Sequence, residues 1–406
     1  MKFYLVGGAV RDEQLGIQVY DKDYVVVGAT TEKMLNEGFK PVGNDFPVFL
    51  HPETKEEYAL ARKEVKKGKG HKAFEFIFTP DITLEEDLFR RDLTINSIAK
   101  DIKTGELFDP YGGLEDIKNK QLKATSEHFK EDPLRVLRLA RFSAKFEDFD
   151  VDKKTLSMCK EISASGELEE LSSERVWGEV KKAFSCSKPS VFFRFLKKCM
   201  ALKVLFPELH SLIDVSQSLK YHPEGCAWTH TLLVLDKARE LSDDHAVLCA
   251  CLLHDLGKGI TPKSELPKHI MHDKKGWPLV KKFCERLKVD NASKELSLVV
   301  CANHLLVHKS QELKPKTLLK LIKSLKGFRD IQFFNKVLLC CMADGFGKLR
   351  SDYKPKSYME AALEAVLKTN LSTVKTNYSG KELGEKIQEK QIKTLSNFKR
   401  AVFESK

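Results

Sequence analysis

The sequence predicts an α+β chain: a small mixed-sheet domain followed by a long, all-helical remainder. Short β-branched and aromatic runs bounded by Gly, Pro and Asp fill the first 110 or so residues: KFYLV, DYVVVG, PVFLHP and EYALAR, with EFIF a weaker fifth. After Glu131 the apolar residues recur three and four apart, as in PLRVLRLARFSAKF, RVWGEVKKAF and VFFRFLKKCMALKVLF, the spacing of one helical face. KYHPEGCAW, at 220–228, breaks that pattern with Pro and Gly and divides the helical part in two.

A chain of 406 residues exceeds what one hydrophobic core usually holds. The expected division is a sheet head over 1–125, a helical neck over 126–222, a second helical block over 226–345 and a Lys-rich helical tail over 346–406. No apolar run is long enough to span a bilayer, and MKFYLVGGAVRDEQLG turns charged too soon to be a signal peptide. The ten cysteines include no CxxC pair, which argues against a cysteine zinc site and for reduced, mostly buried thiols in a cytoplasmic protein. Lys and Arg (69) exceed Asp and Glu (58), a net +11 that favours polyanionic partners through counterion release, although many basic proteins bind no nucleic acid.

The head carries three polar constellations. Gly7-Gly8 follows the first strand and precedes Arg11 and Asp12. Glycines let a phosphate reach backbone N–H groups, but a Gly pair alone is equally a tight turn. Asp21-Lys22-Asp23 runs into YVVVG, and residues two apart on a strand share a face. Both carboxylates then converge, and Mg2+ relieves their repulsion together with substrate phosphates. Two such ions can activate a 3′-hydroxyl and stabilise a leaving pyrophosphate. The competing reading is two solvated turn aspartates. Arg90-Arg91-Asp92-Leu93-Thr94-Ile95-Asn96 offers arginines for a triphosphate and Asn for a base or sugar, or else a helix start with ordinary ion pairs.

In order and spacing, LVGGAVRD, DKDYVVVG and RRDLTIN resemble the nucleotidyltransferase head of class II CCA-adding enzymes and bacterial poly(A) polymerases. The resemblance implies a polymerase-beta-like head. It implies that Gly8, Arg11 and Arg91 contact the incoming nucleotide and that Asp21 and Asp23 are catalytic and hold Mg2+, with Glu57 a candidate third acid.

Asp132, Arg135, Arg138 and Arg141 recur every third residue and form a slowly drifting stripe on a helix. Asp132 before Pro133 also reads as an N-cap, and an arginine stripe as a solvated face. The chemistry of a base reader is nevertheless present. Cytosine and adenine each present an amino donor beside a ring-nitrogen acceptor, whereas uracil and guanine present a carbonyl beside an N–H. One carboxylate with one guanidinium accepts the first pair and leaves buried polar groups unpaired with the second. The stretch resembles the EDxxR motif of class II CCA-adding enzymes, which implies that Asp132 and Arg135 read the base edge and that Arg138 and Arg141 contact the nucleotide. SSERVWGEVKKAF and ALKVLFPEL fit the same family, so this resemblance covers roughly the first 220 residues.

In the second helical block an apolar run, Ala246 to Leu253, leads into His254-Asp255 and LGKG; His230 lies upstream and Asp344 downstream. Any one of these reads as a core histidine or a capping aspartate. As a set, imidazoles and carboxylates suit a transition metal that activates water. The ordered set resembles HD-superfamily phosphohydrolases, which implies His230, His254, Asp255 and Asp344 as metal ligands, with His254 and Asp255 at the catalytic centre. His269, His272 and His304 are candidates for the same pocket.

The whole chain resembles the bacterial multifunctional CCA proteins. That implies addition of C, C and A to tRNA 3′ ends from CTP and ATP. It also implies phosphatase, 2′-nucleotidase and 2′,3′-cyclic phosphodiesterase activities in the HD block, supported by a transition metal such as Ni2+. A poly(A) polymerase shares the head and is the alternative, against which the fused HD block argues. No membrane partner is expected, and both monomer and homodimer remain open.

Overall fold

The structure is a computed structural model that describes residues 1–42, 48–66, 74–347 and 353–404. The chain forms two compact units, Met1–Glu179 with Val191–Leu205, and Val180–Ser190 with Phe206–Lys406.

The first unit is built on a mixed seven-stranded sheet. Its strands are β1 (Lys2–Val6), β2 (Asp23–Val27), β3 (Lys40–Val42), β4 (Val48–Leu50), β5 (Glu57–Leu60), β8 (Ala99–Asp101) and β9 (Leu107–Phe108), in the order β3-β4-β5-β2-β1-β8-β9. β6 (Lys63–Lys66) and β7 (Phe74–Ile77) form a separate hairpin, so EFIF is a strand that stands off the main sheet. Among the described residues of this sheet only β2 and β5 pair in parallel. Alternation distributes the strand residues between two cores. Tyr4, Val6 and Val25 pack with Leu88 and Ala99, while Val26 packs with Met34, Phe49, Tyr58 and Leu60.

The helices of this part are α1 (Gly8–Gln14), α2 (Thr31–Asn36), α3 (Leu84–Phe89), α4 (Gly113–Lys118), α5 (Leu134–Lys145), α6 (Lys153–Ala164), α7 (Ser173–Phe184), α8 (Ser190–Lys198) and α9 (Ala201–Leu205). α3 starts with a capping box: Thr83 accepts from the Glu86 N–H, and the Glu86 side chain accepts from the Thr83 N–H. α5 buries Leu134, Val136, Leu137, Leu139, Ala140 and Phe142, the apolar positions of the predicted helical pattern.

In the second unit every element longer than an isolated bridge is helical among the described residues. α10 (Pro207–His210) is followed by α11 (Ala227–Leu241), α12 (His245–Leu253), α13 (His272–Arg286), α14 (Asn291–His308), α15 (Pro315–Ser324), α16 (Ile331–Gly347), α17 (Lys354–Leu367), α18 (Ser372–Asn377) and α19 (Gly380–Glu404). Asp244 caps α12 by accepting from the Ala246 N–H, and every residue from Ala246 to Leu253 is buried. A helix apolar all round belongs at the centre of a bundle, and α12 packs against α11, α14 and α16.

Candidate active sites

In the head, strand register decides which acidic groups meet. Val6 of β1 faces Asp23 of β2, and Asp23 in turn pairs with Glu57 across the parallel β2–β5 ladder. Asp23 is thus the first residue of β2, with Glu57 as its direct neighbour. Asp21 precedes the strand and is exposed. The expectation that one strand face aligns both aspartates therefore needs correction: the argument from alternation reaches Asp23 only. The carboxylates of Asp21, Asp23 and Glu57 do not all lie within 4.8 Å of one another.

Gly7 stands at the mouth of this site with φ +68°, and a Cβ there would lie 2.9 Å from Arg91 Nη1. The backbone conformation favours glycine, and any side chain there would also displace the Arg91 guanidinium. Gly8 opens α1 and lies against the Arg11 guanidinium. Arg91 is held from behind, its Nη2 donating to Asp87 Oδ2 over 3.1 Å; Asp87 also receives Arg90.

Arg11 is 4% exposed. Its Nε donates to Asp12 Oδ1 over 2.8 Å, its Nη1 donates to Asn96 Oδ1, and its guanidinium lies 5.3 and 5.2 Å from the ring centres of Phe142 and Phe146. Burial lowers its pKa, against the opposing pull of Asp12. Asn96 Nδ2 donates to Asp92 Oδ1 over 2.9 Å, and Arg138 Nε donates to Asp92 Oδ2 over 2.7 Å. Burial pushes the Asp92 carboxyl up, but Arg138, Asn96 and Arg135 outweigh it and hold it below the usual carboxylate range. Arg11, Asn96, Asp92 and Arg138 thus form one continuous polar chain from the glycine turn to α5. Asp92 was not singled out from the sequence; its place between two arginines and an asparagine in RRDLTIN is the only local signal of its role.

The α5 stripe is not a solvated face. Arg138 is tied to Asp92, and Arg141 Nε donates to the buried Glu179 Oε2 over 2.7 Å while its guanidinium sits 4.2 Å from the Phe142 ring centre. Arg135 is buried and donates to the backbone carbonyls of His128 and Arg90. Asp132 does cap the helix, accepting from the Leu134 N–H over 3.0 Å through Oδ1. Its Oδ2 accepts from Arg175 Nη2 over 2.9 Å. Arg175 belongs to SSERVWGEVKKAF, and nothing in the sequence pairs it with a residue 43 positions earlier.

In the second unit α12 delivers His254 at its C-terminal end, with Asp255 next. Gly257 lets the following turn touch α13: a Cβ there would lie 2.0 Å from the His272 carbonyl oxygen. That approach brings His272 beside Asp255, with His272 Nε2 3.2 Å from Asp255 Oδ1. From α11, His230 Nε2 lies 3.0 Å from Asp344 Oδ1 and 3.7 Å from Asp255 Oδ2. His254 Nε2 lies 3.1 Å from Asp255 Oδ2 and 4.0 Å from Asp344 Oδ1. All four predicted ligands are therefore together, and His272 and His304 join them, with His304 Nε2 3.6 Å from Asp255 Oδ1. His269 lines the same cavity but not the ligand cluster: its Nδ1 meets Thr261 Oγ1 at 2.9 Å and its Nε2 meets the Ser216 carbonyl at 3.0 Å.

These residues fit a metal. His254 Nδ1 lies 2.7 Å from the Cys251 carbonyl, an acceptor that fixes the proton on Nδ1 and leaves the Nε2 lone pair directed into the cluster. Asp255, 1% exposed, has the Lys258 ammonium 2.5 Å from its Oδ2, whereas among the described residues its Oδ1 and His254 Nε2 take part in no hydrogen bond. Buried acceptors left this way are costly unless a cation meets them. Burial pushes Asp255 up, yet His254 and Lys258 outweigh it and keep the carboxylate ionised. Burial lowers His254, but Asp255 and Asp344 outweigh it and its pKa is raised.

Further residues of this site were not expected from the sequence. His308 Nε2 lies 2.5 Å from Asp344 Oδ2, and its i+4 spacing from His304 on α14 was a legible signal. Glu224 Oε1 lies 2.7 Å from His230 Nδ1, the position of a carboxylate that orients a ligand histidine. Lys258 Nζ donates to Gln217 Oε1 over 2.6 Å and lies 2.5 Å from Asp255 Oδ2. A cavity of about 580 Å³ opens over the cluster and is lined by Asp255, His272, His304 and Asp344 together with Lys258, His308 and Lys309.

Comparison with known proteins agrees with a nucleotidyltransferase-type head followed by an HD block. Residues 3–123 match the poly A polymerase head domain, residues 148–213 a probable RNA- and SrmB-binding site of polymerase A, and residues 227–326 the HD domain. The multifunctional CCA protein of Vibrio vulnificus (strain YJ016) is 48% identical over 401 residues, covering 97% of this chain and 98% of its own. The multifunctional CCA protein of Acinetobacter baumannii (strain SDF) is 46% identical over 404 residues, covering 98% of each. Among solved structures, an apo CCA-adding enzyme superposes with a TM-score of 0.67 at 21% identity, covering 97% of this chain and 88% of that one. The Thermotoga maritima CCA-adding enzyme complexed with tRNA gives 0.64 at 20% identity, covering 97% and 87%; at such identities the likeness speaks for the fold. With an α+β head, a helical HD block and relatives near half identity along almost its whole length, the chain belongs to the multifunctional CCA protein family.

Proposed function

We propose that this chain adds C, C and A to the 3′ end of tRNA from CTP and ATP, and that its HD block is a metal-dependent phosphohydrolase acting as phosphatase, 2′-nucleotidase and 2′,3′-cyclic phosphodiesterase. The observation that carries the first part is the polar chain Arg11–Asn96–Asp92–Arg138, which couples a glycine turn suited to phosphate to the helix that bears Asp132 and Arg135. In this reading Gly8, Arg11 and Arg91 bind the triphosphate. Asp21 and Asp23 hold Mg2+, an oxygen-seeking ion, and Glu57 stands next to Asp23.

Asp132 and Arg135 select the base. Arg175 fixes the plane of the Asp132 carboxylate, whose remaining lone pairs accept the amino group of C or A. Arg135 supplies the donor for the neighbouring ring nitrogen, and Arg138 and Arg141 flank the nucleotide.

In the HD block His230, His254, Asp255 and Asp344 hold a transition metal such as Ni2+, since imidazole suits such ions better than Mg2+. A bound ion there supplies positive charge for the phosphoryl group and lowers the pKa of water. Lys258 and Lys309 place further positive charge at the cavity where a phosphate enters. The expected compartment is the cytoplasm, where the ten free cysteines stay reduced.

Incubation of tRNA transcripts lacking the terminal CCA with each NTP alone and in mixture tests the first activity. The expected product ends in C, C and A and contains no U or G. A growing poly(A) tail would replace this reading with the polymerase one.

A further inference from the structure

We propose that the segment 216–221 is the wall of the HD cavity that recognises a nucleotide: the Gln217 amide donates to an oxygen of the ribose phosphate, and the Tyr221 ring carries the base. This rests on the phosphohydrolase reading of the block given above and adds the residues that choose its substrate. Both side chains line the cavity of about 580 Å³ that opens over the ligand cluster.

Gln217 is 4% exposed. Its Oε1 accepts from Lys258 Nζ over 2.6 Å. An ammonium has only donors, so this contact fixes which end of the amide is oxygen and turns Nε2 away from Lys258. Among the described residues Nε2 has no hydrogen-bond partner. A buried donor left so costs stability unless an acceptor comes to it. Lys258 also lies 2.5 Å from Asp255 Oδ2, so one ammonium separates the amide from a carboxylate of the ligand cluster. An ester whose phosphate meets that cluster brings its phosphoryl and ribose oxygens to Gln217.

Backbone contacts hold the segment in place. The Gln217 N–H donates to the Gly225 carbonyl over 2.9 Å, Ser216 and Cys226 form an antiparallel bridge, and His269 Nε2 meets the Ser216 carbonyl at 3.0 Å. The Tyr221 and His222 N–H groups both donate to the Ser218 carbonyl, over 3.0 and 2.9 Å. Tyr221 is 55% exposed; among the described residues no aromatic ring packs on it, and the Lys220 ammonium stands 5.4 Å from its ring centre. An isolated exposed tyrosine is ordinary on a protein surface. This one borders a cavity that Pro267 and Leu305 also line. Phosphate and a metal ion need no apolar wall, whereas a flat heterocycle does, and the volume lies in the range of pockets that hold whole organic ligands. Lys258 and Lys309 meet the phosphate end, and the apolar end takes the base.

The test compares adenosine 2′-phosphate with glycerol 2-phosphate, a secondary phosphate ester without a base, on the full-length, metal-loaded chain. The wild type should prefer the nucleotide about tenfold in kcat/KM, the scale of one stacked base. Tyr221→Ala should bring that preference near one through a higher KM, and Tyr221→Phe should restore it. Gln217→Leu should raise KM for both esters about fivefold, the scale of one hydrogen bond, with kcat little changed. Equilibrium dialysis of labelled adenosine 2′-phosphate with the metal-free chain, CTP filling the head, should show the same weakening in both variants without turnover. A wild type that hydrolyses both esters equally, or a Tyr221→Ala protein that keeps the full preference, overturns the wall and leaves the phosphohydrolase reading standing. A Gln217→Leu protein that loses kcat alone makes Gln217 a support for Lys258 and overturns its role as a donor. Hydrolysis of neither ester overturns both readings. If Gln217→Leu does not fold by circular dichroism, Tyr221→Ala, at an exposed position, decides.

Discussion

Arg138 donates its Nε to Asp92 Oδ2 over 2.7 Å and joins α5 to the segment Arg90–Asn96 through a carboxylate that is only 6% exposed. The same carboxylate receives Asn96, and Asn96 receives Arg11, so a single ion pair fixes the relation between the glycine turn and α5.

Replacing Asp92 by Asn should therefore destabilise the head by about 2 kcal/mol, below the ~3–5 kcal/mol of a fully buried pair because Arg138 is partly exposed. Its pKa is depressed in the folded chain, against about 3.9 unfolded. The stabilisation is thus fully present above pH ~4 and is lost as pH falls through the folded value. Urea melts of both proteins should differ most near neutrality and converge below pH ~4. A gap independent of pH would show that packing, not the charge, is what Asn loses.

Arg175 offers a sharper test of base selection, because it touches Asp132 without belonging to the arginine stripe. A charge-assisted hydrogen bond is worth about 1.5–3 kcal/mol. Arg175→Met should raise UTP and GTP incorporation relative to CTP roughly tenfold, and Arg175→Lys should recover part of the loss. Unchanged selectivity in Arg175→Met, with only a lowered melting temperature, would reduce the contact to a structural tie.

The head illustrates what sequence carries and what it does not. Tyr4, Val25, Val26 and Tyr58 alternate between two cores, and that alternation is visible as a period of two. β8 and β9 span three and two residues, too few for any period to appear, so pairing with their neighbours alone makes them strands. Asp23 stands out in the sequence as a candidate, but that Glu57 is its acidic neighbour depends on the parallel pairing of β2 with β5, a long-range fact. The arginines of α5 were legible by spacing, whereas their partners Asp92 and Glu179 lie 46 and 38 residues away. In the HD block the histidines announce themselves by type. Glu224 sits in the Pro/Gly break that reads simply as a boundary, and only the fold turns it toward His230.

Register also predicts unequal roles for the head carboxylates. Asp21→Ala and Asp23→Ala should each abolish CTP and ATP addition while tRNA binding in a gel-shift assay persists, since distributed basic residues carry that binding. Glu57→Gln, beside Asp23 in the ladder, should lower the rate and raise the Mg2+ requirement by a smaller factor. Robust addition by both aspartate variants would remove Mg2+ from this pair.

The two activities should separate by mutation, because their ligand sets differ in both place and chemistry. The head offers carboxylates, which suit Mg2+, and the HD cluster is rich in imidazole, which suits transition ions. His254→Ala should remove cyclic phosphodiesterase and phosphatase activity by about a hundredfold or more, within the range that ligand loss produces, and leave CCA addition largely intact. Asp23→Ala should do the reverse. A chelator selective for transition metals should silence the hydrolase in the wild type while addition continues in Mg2+. His254 is also a core residue that follows the buried run Ala246 to Leu253, so its loss removes packing as well as a candidate ligand. A thermal melt separates the two effects, and His254→Gln, which keeps most of the volume, should lose hydrolysis with a smaller drop in melting temperature. A well-folded His254→Gln protein that hydrolyses cyclic phosphate at the wild-type rate would leave the cluster as a set of buried structural histidines.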